Sequence, residues 1–297
     1  MHTLQGKIVM ITGATSGIGR SAALEVAKSG ATIVIVCRSR EKGIQTKAWI
    51  EDKTGNKHVD ILLMDLASMS SIRQGIQRFK ERYDHLDILI NNAGVLPASK
   101  EMIRTEDGHE LSFGVNFLAP FLLTHLLLEH LKKSGIGRIV NVSSSLHIPG
   151  SKPGPEVDFD FNNLQGEKYY QPMVFYKNSK LAMMWFTYEL HRRWSESGIT
   201  VNAMCPGFVP ESISEHQAGI QKWVFRHIVS RLPQATSLKS AGEMEAWMAS
   251  SPELARKNGR FFVNFQEAKS SDESYDVVKA ANCWELAYQM CKLSING

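Results

Sequence analysis

The chain of 297 residues is 43% hydrophobic and 22% charged, ordinary proportions for a globular protein long enough to bury a large core. Its net charge of +4, from 34 basic and 30 acidic residues without a visible cluster, argues against a nucleic-acid partner. The four cysteines, Cys37, Cys205, Cys283 and Cys291, are too scattered for a metal knuckle or a paired redox site, so free thiols in a reducing compartment and no metal are expected.

In chain order, Lys7–Ile11 reads as a short β-branched strand that runs into a glycine-rich turn and a helix over about Gly17–Lys28. Ala31–Val36 is a second strand, followed by a polar helix through about Asp52. His58–Met64 is a third strand, and Met69–Tyr83 is helical with Ile72, Ile76 and Phe79 on one face. Leu86–Ile90 is the fourth strand, and a long helical region covers about Glu106–Lys132. Gly137–Val142, Thr200–Met204 and Gly259–Val263 give strands five to seven, with a helix over Val174–Trp194 between the fifth and sixth. Residues 1–6 are too short and polar for a signal peptide. The longest apolar run, Phe117 to Leu128, is interrupted and falls short of the ~20 residues of a membrane span. A cytoplasmic protein is expected.

Strands alternating with helices predict an α/β fold in which a doubly wound parallel sheet of about seven strands, ordered 3-2-1-4-5-6-7, lies between two helical layers. Strands that are apolar on both faces, such as Ile33-Val34-Ile35-Val36, fit a covered sheet. No linker divides the chain, so a single domain over 1–297 is expected. Two segments break the rhythm, Leu146–Pro172 and Phe208–Pro233. Both follow strand C-terminal ends, where open α/β sheets bind ligands.

The turn Thr12-Gly13-Ala14-Thr15-Ser16-Gly17-Ile18-Gly19 stands between a strand and a helix. Glycines there allow backbone to approach a pyrophosphate, and the helix start offers N–H groups and a positive dipole end. This is the Rossmann-type arrangement, with Gly13, Thr15, Ser16, Gly17, Ile18 and Gly19 as the candidate cradle. After the second strand comes Cys37-Arg38-Ser39-Arg40, with no carboxylate before Glu41. A carboxylate at that place would favour NAD, whereas Arg38 suits a 2′-phosphate, so NADP(H) is expected over NAD(H).

Tyr176 and Lys180 lie at i and i+4, on one helix face. A free phenol titrates near ~10. A neighbouring ammonium favours phenolate and lowers that value. The pair is therefore a candidate proton-transfer device for an alcohol–carbonyl interconversion.

Taken together, the Thr-Gly-x-x-x-Gly-x-Gly turn, Asn91-Asn92-Ala93-Gly94, Tyr176-x-x-x-Lys180 and Pro206-Gly207 resemble the short-chain dehydrogenase/reductase family over about residues 6–265. The resemblance implies that Asp65 and Leu66 flank the adenine, although Asp65 reads equally as an N-cap of the next helix. It places Asn92, Ala93, Gly94, Tyr176 and Lys180 along the cofactor, and Pro206, Gly207 and Val209 beside the nicotinamide. It implies that Tyr176 exchanges the proton, that Lys180 also holds the ribose, and that a serine past the fifth strand holds the substrate oxygen. The Asn-Val-Ser-Ser pattern selects Ser144, with Ser145 as the alternative register. Asn116 matches the residue that supports a water-linked proton relay to the lysine. His147 reads as a loop residue without chemistry. Where the family places Thr or Ser after the Pro-Gly turn this chain has Glu211, with Ser212 following.

Asn163–Tyr170, Ser179–Ala182, Gly259–Phe262 and Cys283–Glu285 further resemble a retinol dehydrogenase-like branch, which implies a small lipophilic alcohol or carbonyl substrate held by Ser144 and Tyr176. Ile220, Trp223, Val224, His227 and Ile228 recur at helical spacing, and the resemblance implies that this apolar segment, over about 208–235, is a lid on the substrate pocket. Lys222, Arg226 and Arg231 would let it rest on a membrane surface; core or dimer packing is the alternative. Homo-oligomers are common in the family. A non-catalytic dinucleotide sensor on the same fold is the rival reading, which loss of the tyrosine or lysine would favour.

Overall fold

A computed structural model describes residues 2–214, 229–232 and 234–293. β1 (Ile8–Thr12), β2 (Thr32–Cys37), β3 (Val59–Leu63), β4 (Ile88–Asn91), β5 (Arg138–Val142), β6 (Thr200–Cys205) and β7 (Arg260–Val263) form one parallel sheet. An antiparallel edge strand, β8 (Gln266–Ala268), completes the order 3-2-1-4-5-6-7-8. The doubly wound α/β expectation holds, and the order reverses beside β1, where β4 pairs on its other side. The eighth strand was not legible: its hairpin turns at Asn264 and Phe265, both with positive φ, and a phenylalanine is no turn signal.

Alternation along each strand sends side chains to two cores. Met10, Val34, Leu89, Ile139 and Val201 face one side. There they meet α3 (Met69–Arg82), the long helix α4 (Leu111–Lys133), α5 (Pro172–Arg193) and α8 (Val277–Met290), with Phe79, Phe117, Phe121, Trp185 and Trp284 as the large buried rings. Val9, Ile11, Ile33, Ile90 and Val140 face the other side. They pack on α1 (Gly17–Lys28), α2 (Arg40–Thr54) and α7 (Leu238–Ser250). A short helix, α6 (Pro210–Ser214), follows β6.

The long helix begins at Leu111 rather than near Glu106, because the Glu110 carboxylate caps it by accepting from Phe113 N at 2.7 Å. By length and composition α4 is apolar enough to cross a membrane, contrary to the reading of its interrupted sequence, but 78% of its apolar window is buried inside the fold. It contains a π segment, Gly114–Leu118. Pro120 explains the irregularity: with no N–H, it cannot donate to the carbonyl of Asn116 one turn back.

Candidate active site

Four segments meet at the C-terminal edge of the sheet: the glycine turn, 91–95 after β4, 142–147 after β5 and 205–209 after β6. The glycine turn and 91–95 are locked to each other. Asn92 Nδ2 donates to the Thr12 carbonyl at 2.7 Å, and the Thr12 hydroxyl accepts from Asn92 N and Ala93 N, both at 3.0 Å. Gly13 has φ +67° and its missing Cβ would lie 3.0 Å from Ala93 Cα. A Cβ on Gly19 would lie 2.2 Å from Asn92 Nδ2 and 2.6 Å from the Gly13 carbonyl oxygen. Only glycine permits this close approach.

Ser16 precedes α1 with an extended backbone, and its hydroxyl caps no N–H of that helix. Ser39, Ser68 and Ser237 do cap α2, α3 and α7. The N–H groups that open α1 therefore remain available to an anion, beside Thr15 and the half-buried Ile18. These residues fit a dinucleotide pyrophosphate.

Arg38 follows β2 directly, is exposed and makes no ion pair or hydrogen bond among the described residues. Asp65 does not cap the next helix, since Ser68 holds that place by accepting from Ser71 N. One Asp65 oxygen accepts from Ala67 N at 2.9 Å and shapes the turn that presents half-buried Leu66.

The run from Tyr176 to Lys180 lies in the first turns of α5. The Ser144 hydroxyl accepts from Leu146 N at 3.2 Å and is near enough to the Tyr176 phenol to act on its ionisation. Ser145 contacts Cys205: its backbone N donates to Cys205 Sγ at 3.2 Å, and the thiol lies 3.7 Å from its hydroxyl. Lys180 is buried, with Nζ 2.9 Å from the Val142 carbonyl oxygen and 5.7 Å from the Tyr176 ring centroid. Burial pushes the lysine down to about 8, opposed by Cys205 and Glu245. The phenol is not lowered as expected: burial pushes it up to about 12, aided by Cys205 and opposed by the nearby Ser144 hydroxyl. The ammonium flanks the ring and donates to Val142, so in the protein alone desolvation prevails over its charge.

Asn116 is fully buried in the π segment of α4. Its amide accepts from Val95 N at 2.7 Å and donates to the Val95 carbonyl at 2.9 Å and the Ser179 hydroxyl at 3.0 Å. The side chain thus clasps the segment after β4 to the helix of Tyr176 and Lys180. Gly94 fits between them: a Cβ there would lie 3.3 Å from Lys180 Nζ and 3.5 Å from Asn116 Oδ1. Pro120 leaves the Asn116 carbonyl without an α-helical N–H partner one turn on.

After β6, Pro206 and Gly207 turn the chain, with Gly207 at φ +83° and Val209 buried. Ser212 N donates to the Val209 carbonyl at 3.1 Å. The hydroxyl closest to the turn belongs instead to Thr236, whose Oγ1 a Cβ on Gly207 would meet at 2.2 Å. His147 is buried and structural, accepting from Ser271 N at 3.3 Å. The lid helix expected from Ile220, Trp223, Val224, His227 and Ile228 lies outside the described residues.

Sequence reasoning missed two groups around this site, Thr236 and Glu245, and the joining role of a third, Cys205, which beside Pro206 reads only as a residue that could line a cleft. Cys205 Sγ accepts from Ser145 N and, at 3.4 Å, from Gly207 N, joining the serine loop to the Pro-Gly turn. Thr236 arrives from a distant stretch. Glu245, on α7, is fully buried, and neither carboxylate oxygen has a hydrogen-bond partner among the described residues. Burial pushes it up to about 8, opposed by Lys180. Its flanking sequence, Met244 and Ala246, reads as plain helix core.

A parallel sheet with a glycine cradle at its switch point and a tyrosine, a lysine and a serine at its edge defines a dinucleotide-dependent oxidoreductase. The chain belongs to the short chain dehydrogenase family, whose model matches residues 7–155 and 162–220, and whose fold binds a nicotinamide cofactor. It lies in the retinol dehydrogenase-like branch. It is 39% identical to retinol dehydrogenase 13 of Homo sapiens over 287 residues, covering 95% of this chain and 83% of the relative. It is 34% identical to polyprenol dehydrogenase of Homo sapiens, covering 96% of this chain and 84% of the relative. Among solved structures, an uncharacterized protein from Mycobacterium paratuberculosis superposes with a TM-score of 0.75 at 27% identity, covering 98% of this chain and 96% of that one.

Proposed function

We propose that the protein is an NADP(H)-dependent oxidoreductase that interconverts a lipophilic alcohol with its aldehyde or ketone. The observation that carries this reading is the pairing of Tyr176 and Lys180 on one helix face, with Lys180 Nζ 5.7 Å from the Tyr176 ring centroid and the Ser144 hydroxyl acting on the phenol. The nicotinamide, when bound, supplies or accepts the hydride. Gly13, Thr15, Ser16, Gly17, Ile18 and Gly19 would hold the pyrophosphate, and Arg38 the 2′-phosphate. Asp65, Leu66, Asn92, Ala93 and Gly94 would line the adenosine and ribose, with Pro206, Gly207 and Val209 on the nicotinamide side.

In carbonyl reduction, Tyr176 gives its proton to the substrate oxygen while Ser144 donates a hydrogen bond to the same oxygen. A phenol held near 12 is protonated at neutral pH, which suits it as the acid. Lys180 orients the ribose and returns a proton toward the phenolate as it forms, and Asn116 fixes the lysine's surroundings. Ser144 rather than Ser145 is the catalytic serine in this reading, because Ser145 is turned to Cys205.

The lipophilic substrate class is supported by exposed apolar side chains on the same edge: Leu96, two residues past Gly94, and Phe208 and Leu232, each 39–45% exposed. The names of the retinol and polyprenol relatives point the same way. The test is NADPH and NADH oxidation with retinal, long-chain aldehydes and steroid ketones, beside Tyr176→Phe. Turnover lost in the variant, with cofactor binding retained, supports the reading. Tight NADPH binding with equal turnover in both proteins would sink the assignment of Tyr176.

A further inference from the structure

Lys177 stands next to Tyr176 and is fully buried, but makes no ion pair among the described residues. A buried ammonium is unfavourable unless hydrogen bonds replace its water. Here two carbonyls do so: Nζ donates to Ser151 O at 2.6 Å and to Pro155 O at 2.8 Å. The next residue continues the attachment. Asn178 Nδ2 donates to the Asp158 carbonyl at 2.6 Å, and its Oδ1 accepts from Asp158 N at 3.2 Å.

Both sets of bonds fall on one stretch, 151–158, of the long connection between β5 and α5. That connection leaves the sheet at Ser144, whose hydroxyl acts on the Tyr176 phenol, and re-enters the fold at Pro172, the start of the helix that carries Tyr176. Its later part is anchored differently, through Phe159 and Leu164 in the core with Phe113 and Trp185. The early part is polar and glycine-rich, and its remaining polar bonds are largely internal, such as Ser151 to the Ser145 carbonyl and Gly150 to Glu156. What ties it to α5 is the pair between Tyr176 and Ser179, with half-buried Val157 packed on the core.

We propose that Lys177 and Asn178 are positioning residues that hold 151–158 as a wall of the substrate cleft, and so set the preference for bulky over small carbonyl compounds. The specificity half rests on the oxidoreductase reading above; the anchoring half does not. A large apolar substrate gains from a preformed wall, because ordering a loose one is subtracted from its binding energy. A small aldehyde needs only Tyr176 and Ser144, and is indifferent to the wall.

The experiment compares wild type, Lys177→Met, which keeps the buried stem and removes the donor, Asn178→Ala, and Lys177→Arg, which keeps a donor. Hydrogen exchange is read peptide by peptide on the cofactor-free protein, and kcat/KM is measured for retinal and for hexanal with NADPH. Losing a charge-assisted bond predicts exchange at 148–158 faster by about tenfold or more in Lys177→Met, with the sheet unchanged and partial protection restored in Lys177→Arg. The retinal-to-hexanal ratio falls by a similar factor. Unchanged exchange at 148–158 overturns the anchor. Faster exchange with both substrates falling in parallel overturns the specificity role. If wild type reduces neither aldehyde, the substrate reading fails on its own, and exchange still decides the anchor.

Discussion

Lys180 Nζ sits 2.9 Å from the main-chain carbonyl of Val142, so the last residue of β5 holds the lysine that flanks Tyr176. The bond fixes the ammonium at the strand end, and burial brings its ionisation down to about 8. Because the folded value is below that of a free lysine, the fold favours the neutral amine. Stability from this group therefore rises as pH increases through about 8 toward ~10.4. Activity should run the other way, since orientation of the ribose and return of the proton need the ammonium. A pH–kcat/KM profile should show a descending limb near pH 8. Lys180→Met should lose about 10²–10⁴-fold in kcat/KM. A profile flat to pH 10 would argue against the lysine's charge as the controlling group.

Arg38 is exposed beside the end of β2 and has no partner among the described residues to compete with a ligand. A charge-assisted phosphate contact contributes about 1.5–3 kcal/mol, or roughly 10–100-fold in affinity. Arg38→Ala should lower the kcat/KM ratio of NADPH to NADH by about that factor, while NADH values stay close to wild type. Steady-state kinetics with both cofactors checks it. Equal losses with the two would mean that Arg38 does not read the phosphate.

Gly19→Ala places a methyl group 2.2 Å from Asn92 Nδ2 and 2.6 Å from the Gly13 carbonyl oxygen. The Asn92 amide is held by the Thr12 carbonyl and the other contact is backbone, so neither yields readily. Overpacking of this kind costs about 1–3 kcal/mol. The variant should melt earlier and bind either cofactor at least tenfold more weakly, read by thermal unfolding and by fluorescence titration.

Much of this was legible because a dinucleotide cradle and a Tyr-x-x-x-Lys pair are local. Their spacing is dictated by one turn and one helix, and the strands around them are continuous apolar runs. What stayed hidden was brought in by tertiary contact. Thr236 reaches Gly207 only through the bridge that pairs Phe208 with Ala235. The contact of Ser145, the alternative register, with Cys205 comes from another strand and is not readable in the run of three serines. The direction of the Tyr176 shift was misjudged because spacing reveals the ammonium's nearness but not the depth of burial, which prevails.

Glu245 is the strongest case of a residue invisible in sequence, and it yields the last prediction. It is fully buried on α7 without a hydrogen bond to either oxygen among the described residues, and Lys180 is the charge that acts on it. Its folded value, about 8, is above that of a free glutamate. The stability it contributes is thus fully present below ~4.3 and lost as pH rises through about 8. Glu245→Gln removes this titration. Relative to the variant, wild type should become progressively less stable between pH 5 and pH 8. Glu245→Met, which removes the unsatisfied group, should gain on the order of 1–3 kcal/mol at pH 8. The charge near Lys180 disappears as well, so the descending limb of the activity profile should move to lower pH in both variants. Urea unfolding at several pH values, beside the pH–rate profile, tests the two effects separately. A stability gain with an unmoved profile would confine Glu245 to packing. A profile shifted in Glu245→Gln, whose shape is preserved, would tie this carboxyl to the ionisation of the lysine.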